Sequence, residues 1–99
     1  MVQINWTFQA TGDLKGIAEY ISKDSKRYAK LQVDRIKNRT KVLKTQIRSG
    51  KIVSEINHEN IRELIEGNYR IIYKIVATNQ IDILTIHHSA RDLKRREIK

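Results

Sequence analysis

The chain has 99 residues, no Cys and no Pro, and carries 20 Lys and Arg against 11 Asp and Glu, a formal net charge of +9 with a pI of about 10.0. The length allows one domain, residues 1–99, around one modest core, and the lack of Cys excludes disulfides, thiolate metal sites and a Cys nucleophile. The charge favours an anionic partner over a merely solvated, Lys-rich surface. No apolar run approaches the length of a membrane span. The segment MVQINWTF lacks the basic-then-apolar pattern of a secretory signal. The expectation is a cytoplasmic protein with no membrane association.

Val2, Ile4 and Trp6 alternate with Gln3 and Asn5, the period of a half-buried strand. Thr7 is suited to N-cap a helix. Ala10, Leu14, Ile17 and Ile21 then recur at spacings of four, three and four, which places them on one face of a helix from Phe8 to Ser22. Gly12 and Gly16 weaken that helix by roughly 1 kcal/mol each relative to Ala, and they thin its surface enough for another element to approach. The run Ser22–Ser25 is a break with capping residues. A second, longer helix is expected from Ser25 to Arg48, with Ala29, Val33, Ile36, Thr40, Leu43 and Ile47 as its apolar seam. The seam predicts an antiparallel helical hairpin, and Gly50 is suited to a left-handed C-cap.

The outer face of the second helix is one-sided in charge. Arg35, Lys37, Arg39, Lys41, Lys44, Arg48 and Lys51 follow with no acidic residue between Asp34 and Glu55. Such a run is either a solvated face or a surface for phosphates or acidic side chains.

Lys51–Ile56 is a short strand candidate, followed by the polar loop Asn57–Asn60. Ile61–Glu66 and Tyr69–Val76 are β-prone runs separated by Gly67-Asn68, a two-residue hairpin signal in which Gly at the first position suits a type II′ turn. Taken as a two-residue loop, it sets Tyr69 opposite Glu66, Ile71 opposite Leu64 and Tyr73 opposite Arg62. Ala77–Gln80 is a polar break before a third run, Ile81–His87. A four-residue loop there sets Ile71 opposite Ile86, Tyr73 opposite Leu84 and Arg70 opposite His87. The order is β-α-α-β-β-β, with a short terminal helix expected in Ser89–Ile98. Helices first and hairpin strands after indicate α+β, a helical hairpin on one face of a small, mainly antiparallel sheet. The other face, carrying Arg70, Ile72, Lys74 and Glu63, is expected to be open.

On that face Arg70 and His87 are neighbours, and Arg91 follows past the strand end. An Arg–His–Arg group can hold a phosphate, and His can act as acid or base near neutral pH. The alternative is that Arg70 pairs across strands with Glu63 or Glu66 and that His87 and His88 are ordinary strand-end residues. Arg62-Glu63 likewise reads as a surface pair. The three His form no metal pattern, and there is no nucleophile elbow, P-loop or dinucleotide fingerprint. No cofactor is expected.

Several strings resemble toxins of the RelE/ParE superfamily from bacterial type II toxin–antitoxin modules. They are W-T-x-x-A-x-x-D-L at Trp6–Leu14, G-x-x-V-x-E at Gly50–Glu55, IRELIEGNYRIIY at Ile61–Tyr73 and HSARDL at His88–Leu93. The resemblance implies the compact α+β toxin fold and a cognate antitoxin whose C-terminal segment wraps the toxin. It also implies one of two activities. RelE-like members cleave mRNA in the ribosomal A site, which would make Arg70, His87, His88 and Arg91 the working residues. ParE-like members poison DNA gyrase without chemistry of their own. The tail after Arg91 has no Tyr, unlike RelE proper, and the H-x-ARDL ending is closer to ParE-type proteins, so the ParE-like reading is preferred. Arg35, Lys37, Arg39, Lys41, Lys44, Arg48, Lys51, Arg62 and Lys74 are then the candidate partner or nucleic-acid contacts.

Overall fold

The structure is a computed structural model that describes residues 1–89. The elements in chain order are β1 (Gln3–Trp6), α1 (Phe8–Ser22), α2 (Lys26–Arg39), a 3-10 turn (Thr40–Lys44), β2 (Lys51–Ile52), β3 (Ile61–Glu66), β4 (Tyr69–Ala77) and β5 (Gln80–His88). The strands form one sheet in the order β1-β5-β4-β3-β2. Only the β1–β5 pair is parallel; the others are antiparallel. The expected α+β order is therefore observed, and the expected terminal helix lies outside the described residues.

Both helix starts follow the capping chemistry of their sequences. The Thr7 hydroxyl accepts from the Ala10 N–H and the Ser25 hydroxyl from the Tyr28 N–H. The second helix, however, is shorter than its seam suggests. It leaves α geometry at Thr40, whose hydroxyl donates to the Lys37 carbonyl at 2.7 Å. A β-branched residue bonding back in this way competes with the regular ladder. Residues three apart eclipse in a 3-10 turn, so Thr40 and Leu43 both stay buried. The inward seam survives the change of helix type, and the extended helix to Arg48 does not.

Ala10, Leu14, Ile36 and Leu43 pack against Leu64, Ile71, Tyr73, Ile81, Ile83 and Ile86 to make the main core, which lies between the helical hairpin and one face of the sheet. Ile17 and Val33 border it. Gly12 and Gly16 have nothing within 4 Å of where a Cβ would sit. Among the described residues no element approaches α1 there, contrary to expectation.

The β3–β4 hairpin has the expected register, Glu66 with Tyr69, Leu64 with Ile71 and Arg62 with Tyr73. Gly67 sits at φ 57° while Asn68 stays at negative φ, as a type II′ turn requires. The β4–β5 hairpin differs. Arg70 pairs with His87 and Ile71 with Ile86 as expected, but an irregularity after Ile72 shifts Tyr73 onto Ile83 rather than Leu84. A second shift lets Ala77 pair with Gln80, so the loop is Thr78-Asn79, not four residues. β2 is only two residues long because the chain turns away at Val53.

Gly50 is needed for a different reason from the left-handed cap expected of it. Its φ is not positive. A Cβ at Gly50 would lie 2.7 Å from the Glu63 carbonyl oxygen and from Tyr73 Cε1 and Oη. The Gly50 N–H donates to the Tyr73 hydroxyl at 3.0 Å, and that hydroxyl donates to the Ile47 carbonyl at 3.0 Å. Tyr73 thereby ties the loop after the 3-10 turn to the middle of the sheet. Burial raises its phenol above the usual range.

Candidate functional site

The second face of the sheet is not open. Residues 53–60 fold back across part of it, so that Val53 and Ile56 pack on Ile61, Ile72 and Leu84 in a small second core. Beside that core lies the densest charge cluster of the described residues. Alternation along β3 and β4 puts Glu63 and Arg70 on this face, and the fold-back loop delivers Glu55 to it.

Arg70 is held by two carboxylates at once. Its Nε and Nη2 donate to Glu63 at 3.1 and 2.6 Å, and its Nη1 and Nη2 donate to Glu55 at 2.6 and 2.9 Å. Both pairs are bidentate, the geometry in which guanidinium–carboxylate bonds are strongest. The Glu63 side chain is 3 % exposed, that of Arg70 12 % and that of Glu55 27 %. A buried carboxylate must be paired or it neutralises, so Glu63 depends on Arg70. Hydrogen bonds from Arg70 pull the Glu55 carboxyl down to about 2, against the opposing effect of its partial burial. Glu55 and then Glu63 hold the Arg70 guanidinium further still above its usual value.

The cross-strand pair with Glu63 was one of the two readings open in the sequence. The role of Glu55 was not foreseen. Its signals were its place in the G-x-x-V-x-E resemblance string and its being the first acid after a long basic run; its Arg lies fifteen residues away on a strand whose neighbour it becomes only through the fold-back.

His87 pairs with Arg70 in register and is 1 % exposed. His88 meets Tyr69 edge to face, ring centroids 5.4 Å apart. The two His therefore point away from each other across β5 and do not form one group. Arg91 lies outside the described residues.

The other candidate cations separate into two kinds. Arg62 and Arg39 act on backbone. Arg62 donates to the carbonyls of Glu59 at 2.9 Å and of Gly50 at 2.9 Å, and Arg39 donates to the Ile65 carbonyl on the outer side of β3 at 3.1 Å. Lys74 is half-buried in β4, between Ile61 and Asp82 in register. Arg35, Lys37, Lys41, Lys44, Arg48 and Lys51 are exposed.

Asp13 was read only as part of a resemblance string, yet it stabilises the sheet. β1 stops at Trp6 while β5 runs on to His88. Where β1 ends, the Thr7 hydroxyl donates to the Ile83 carbonyl at 2.7 Å, and the Asp13 carboxylate accepts from the Ile86 N–H at 3.1 Å and from the Thr85 hydroxyl. A helix side chain thus supplies the ladder partner that the short strand does not, at the point where β5 is irregular.

Among the described residues no helix is long and apolar enough to cross a membrane. Curated proteins offer no match to this chain. Solved structures do: a chain of the chromosomal ParDE TA system from P. aeruginosa is 24 % identical and superposes with a TM-score of 0.73, covering 89 % of this chain and 96 % of that one. That likeness establishes the shared fold. The family model described as the ParE toxin of type II toxin-antitoxin system, parDE, matches residues 4–93. With nearly the whole length covered by that match, and with the helical hairpin and five-stranded sheet in place, the chain belongs to the ParE toxin family of type II toxin–antitoxin systems.

Proposed function

We propose that this toxin arrests growth by poisoning DNA gyrase, acting as a binding protein without chemistry of its own, and that a cognate antitoxin neutralises it. The observation that carries the first part is the occupancy of Arg70. Two bidentate carboxylates take its guanidinium. A substrate phosphate would have to displace one of them, and displacing Glu63 would strand a buried charge. His87, at 1 % exposed, has no surface from which to exchange a proton with a bound RNA. Arg70, which a ribonuclease would use, is thus spent on holding the second face of the sheet together. The antitoxin reading is supported by family membership, and by Tyr28 and Leu31 on α2, large apolar side chains left in solvent beside Arg27 and Arg35. An acidic amphipathic segment would match such a surface.

The test is direct. Purified protein added to gyrase and relaxed plasmid should inhibit supercoiling and trap cleaved DNA, while programmed ribosomes with the same protein should leave their mRNA intact. In cells, induction should stop DNA synthesis before translation. Cut messages on ribosomes with gyrase unaffected would replace this reading with the ribonuclease one.

A further inference from the structure

Helix α2 and the 3-10 turn after it present two unlike flanks to solvent. An α-helix advances about 100° per residue, so Lys30 and Lys37, seven apart, return to the same side, and Lys41 follows one turn later. In the 3-10 turn Lys41 and Lys44 eclipse, as Thr40 and Leu43 do on the buried side. The four lysines form one row roughly 20 Å long, from rises of about 1.5 and 2.0 Å per residue. All four are exposed, and none is ion-paired among the described residues. Asp34 is the only acid between Asp24 and Glu55. The opposite flank carries Tyr28, Leu31 and Arg35.

The two flanks suit different partners. Protein interfaces draw most of their energy from buried aromatic and aliphatic anchors, and single-stranded nucleic acids are held by bases stacked on aromatic rings. Tyr28 and Leu31 offer anchors. The lysine row offers none: no exposed large hydrophobic residue lies between Leu31 and Ile52. A straight row of four lysines with one acid, Asp34, among them and without anchors fits a regular array of phosphates. Duplex DNA supplies one, with a negative charge for about every 1.7 Å of axis, and binding it releases condensed counterions.

We propose that Lys30, Lys37, Lys41 and Lys44 form a docking strip for the phosphate backbone of duplex DNA, without sequence preference. The strip stands apart from the gyrase reading, because its test uses DNA alone. Fluorescence anisotropy of a labelled duplex of about 20 base pairs, titrated with the full chain at about 50 mM salt and upward, should show binding whose log–log salt slope is roughly −3 to −4, as four phosphate contacts require. The variant Lys37→Glu, Lys41→Glu should bind at least about tenfold more weakly and flatten that slope. A variant with the same change of charge elsewhere, Lys15→Glu, Lys23→Glu, should stay within about threefold of the parent. All four positions are exposed, and circular dichroism melts should confirm that both variants fold. Equal weakening by the two variants would mean diffuse attraction and would overturn the strip. So would absence of binding at the lowest salt, or equally tight binding of a single strand of the same length. Because gyrase is absent from these titrations, loss of the strip and loss of the gyrase reading are separately visible.

Discussion

Ile71 and Ile72 are consecutive in β4 and both are fully buried, yet they enter two different interiors. Ile71 joins the large core under the helical hairpin. Ile72 joins Val53 and Ile61 under a loop, next to an ion cluster made of Arg70, Glu55 and Glu63. The first interior is closed by regular secondary structure whose apolar positions repeat along two helices. The second is closed by eight residues with almost no regular structure, pinned by charge. Burial of charge is seldom a source of net stability, so the arrangement on the second face fixes one geometry for the fold-back loop, and most of the fold's stabilisation comes from the first face. Arg70, a candidate catalytic residue by sequence, belongs to that pinning.

Four measurements would break or sharpen this contrast. The largest effect is expected from Arg70→Ala, which leaves Glu63 buried without its partner and should cost about 3–5 kcal/mol in denaturant unfolding. Adding Glu63→Gln should restore part of that loss by removing the stranded charge. If Arg70→Ala were nearly neutral, the cluster would be a surface feature and not a pin. Next, Ile71→Ala should cost about 3–5 kcal/mol and Ile72→Ala nearer 2 kcal/mol, because the loop over Ile72 can collapse into the space more easily than packed helices can. Equal losses would make the two interiors equivalent.

A smaller effect is expected at Glu55. Its carboxyl is depressed to about 2 in the folded chain, chiefly by Arg70. A depressed carboxyl contributes stability that is fully present above its unfolded value of 4.5 and is lost as pH falls toward 2. Glu55→Gln should therefore lower stability by about 0–1 kcal/mol at neutral pH, given how exposed the pair is, and should flatten the acid limb of the stability curve between those two values. An unchanged acid limb would show that Glu55 leaves Arg70 in solution. The smallest effect, and of opposite sign, is expected from Gly12→Ala. It sits in open space on α1, and should gain about 0.5–1 kcal/mol in thermal unfolding through helix propensity alone. A loss there would reveal a neighbour that the described residues do not contain.

Much of this architecture is legible in the sequence. The period of Ala10, Leu14 and Ile17 set α1 to within its observed ends, and Gly67-Asn68 fixed the β3–β4 register to the residue. Both signals are local, since a 3.6-residue period and a two-residue turn are decided by chain neighbours. One departure is itself local: Thr40 ends α2 early because its hydroxyl donates to the Lys37 carbonyl three residues back. The others arise where a distant partner intervenes. The irregularity in β5 shifted the partner of Tyr73 because Asp13 and Thr85 gave the displaced backbone somewhere to bond. Gly50 was recognised as special but for a left-handed turn, when the cause was a Tyr73 ring that arrives from twenty-three residues away.

By itself the sequence determined the elements, their order, the inward stripes and the basic outer flank of α2. Each follows from residue types at fixed short spacings, where geometry is set by the chain's own period. Tertiary structure alone decided what Arg70 does. One arginine on a strand is equally able to grip a phosphate or a carboxylate, and the outcome depended on whether residues 53–60 brought Glu55 across the sheet. That approach costs chain entropy and is repaid only by the apolar contacts of Val53 and Ile56 together with the ion pairs, a balance that no local pattern in the sequence encodes.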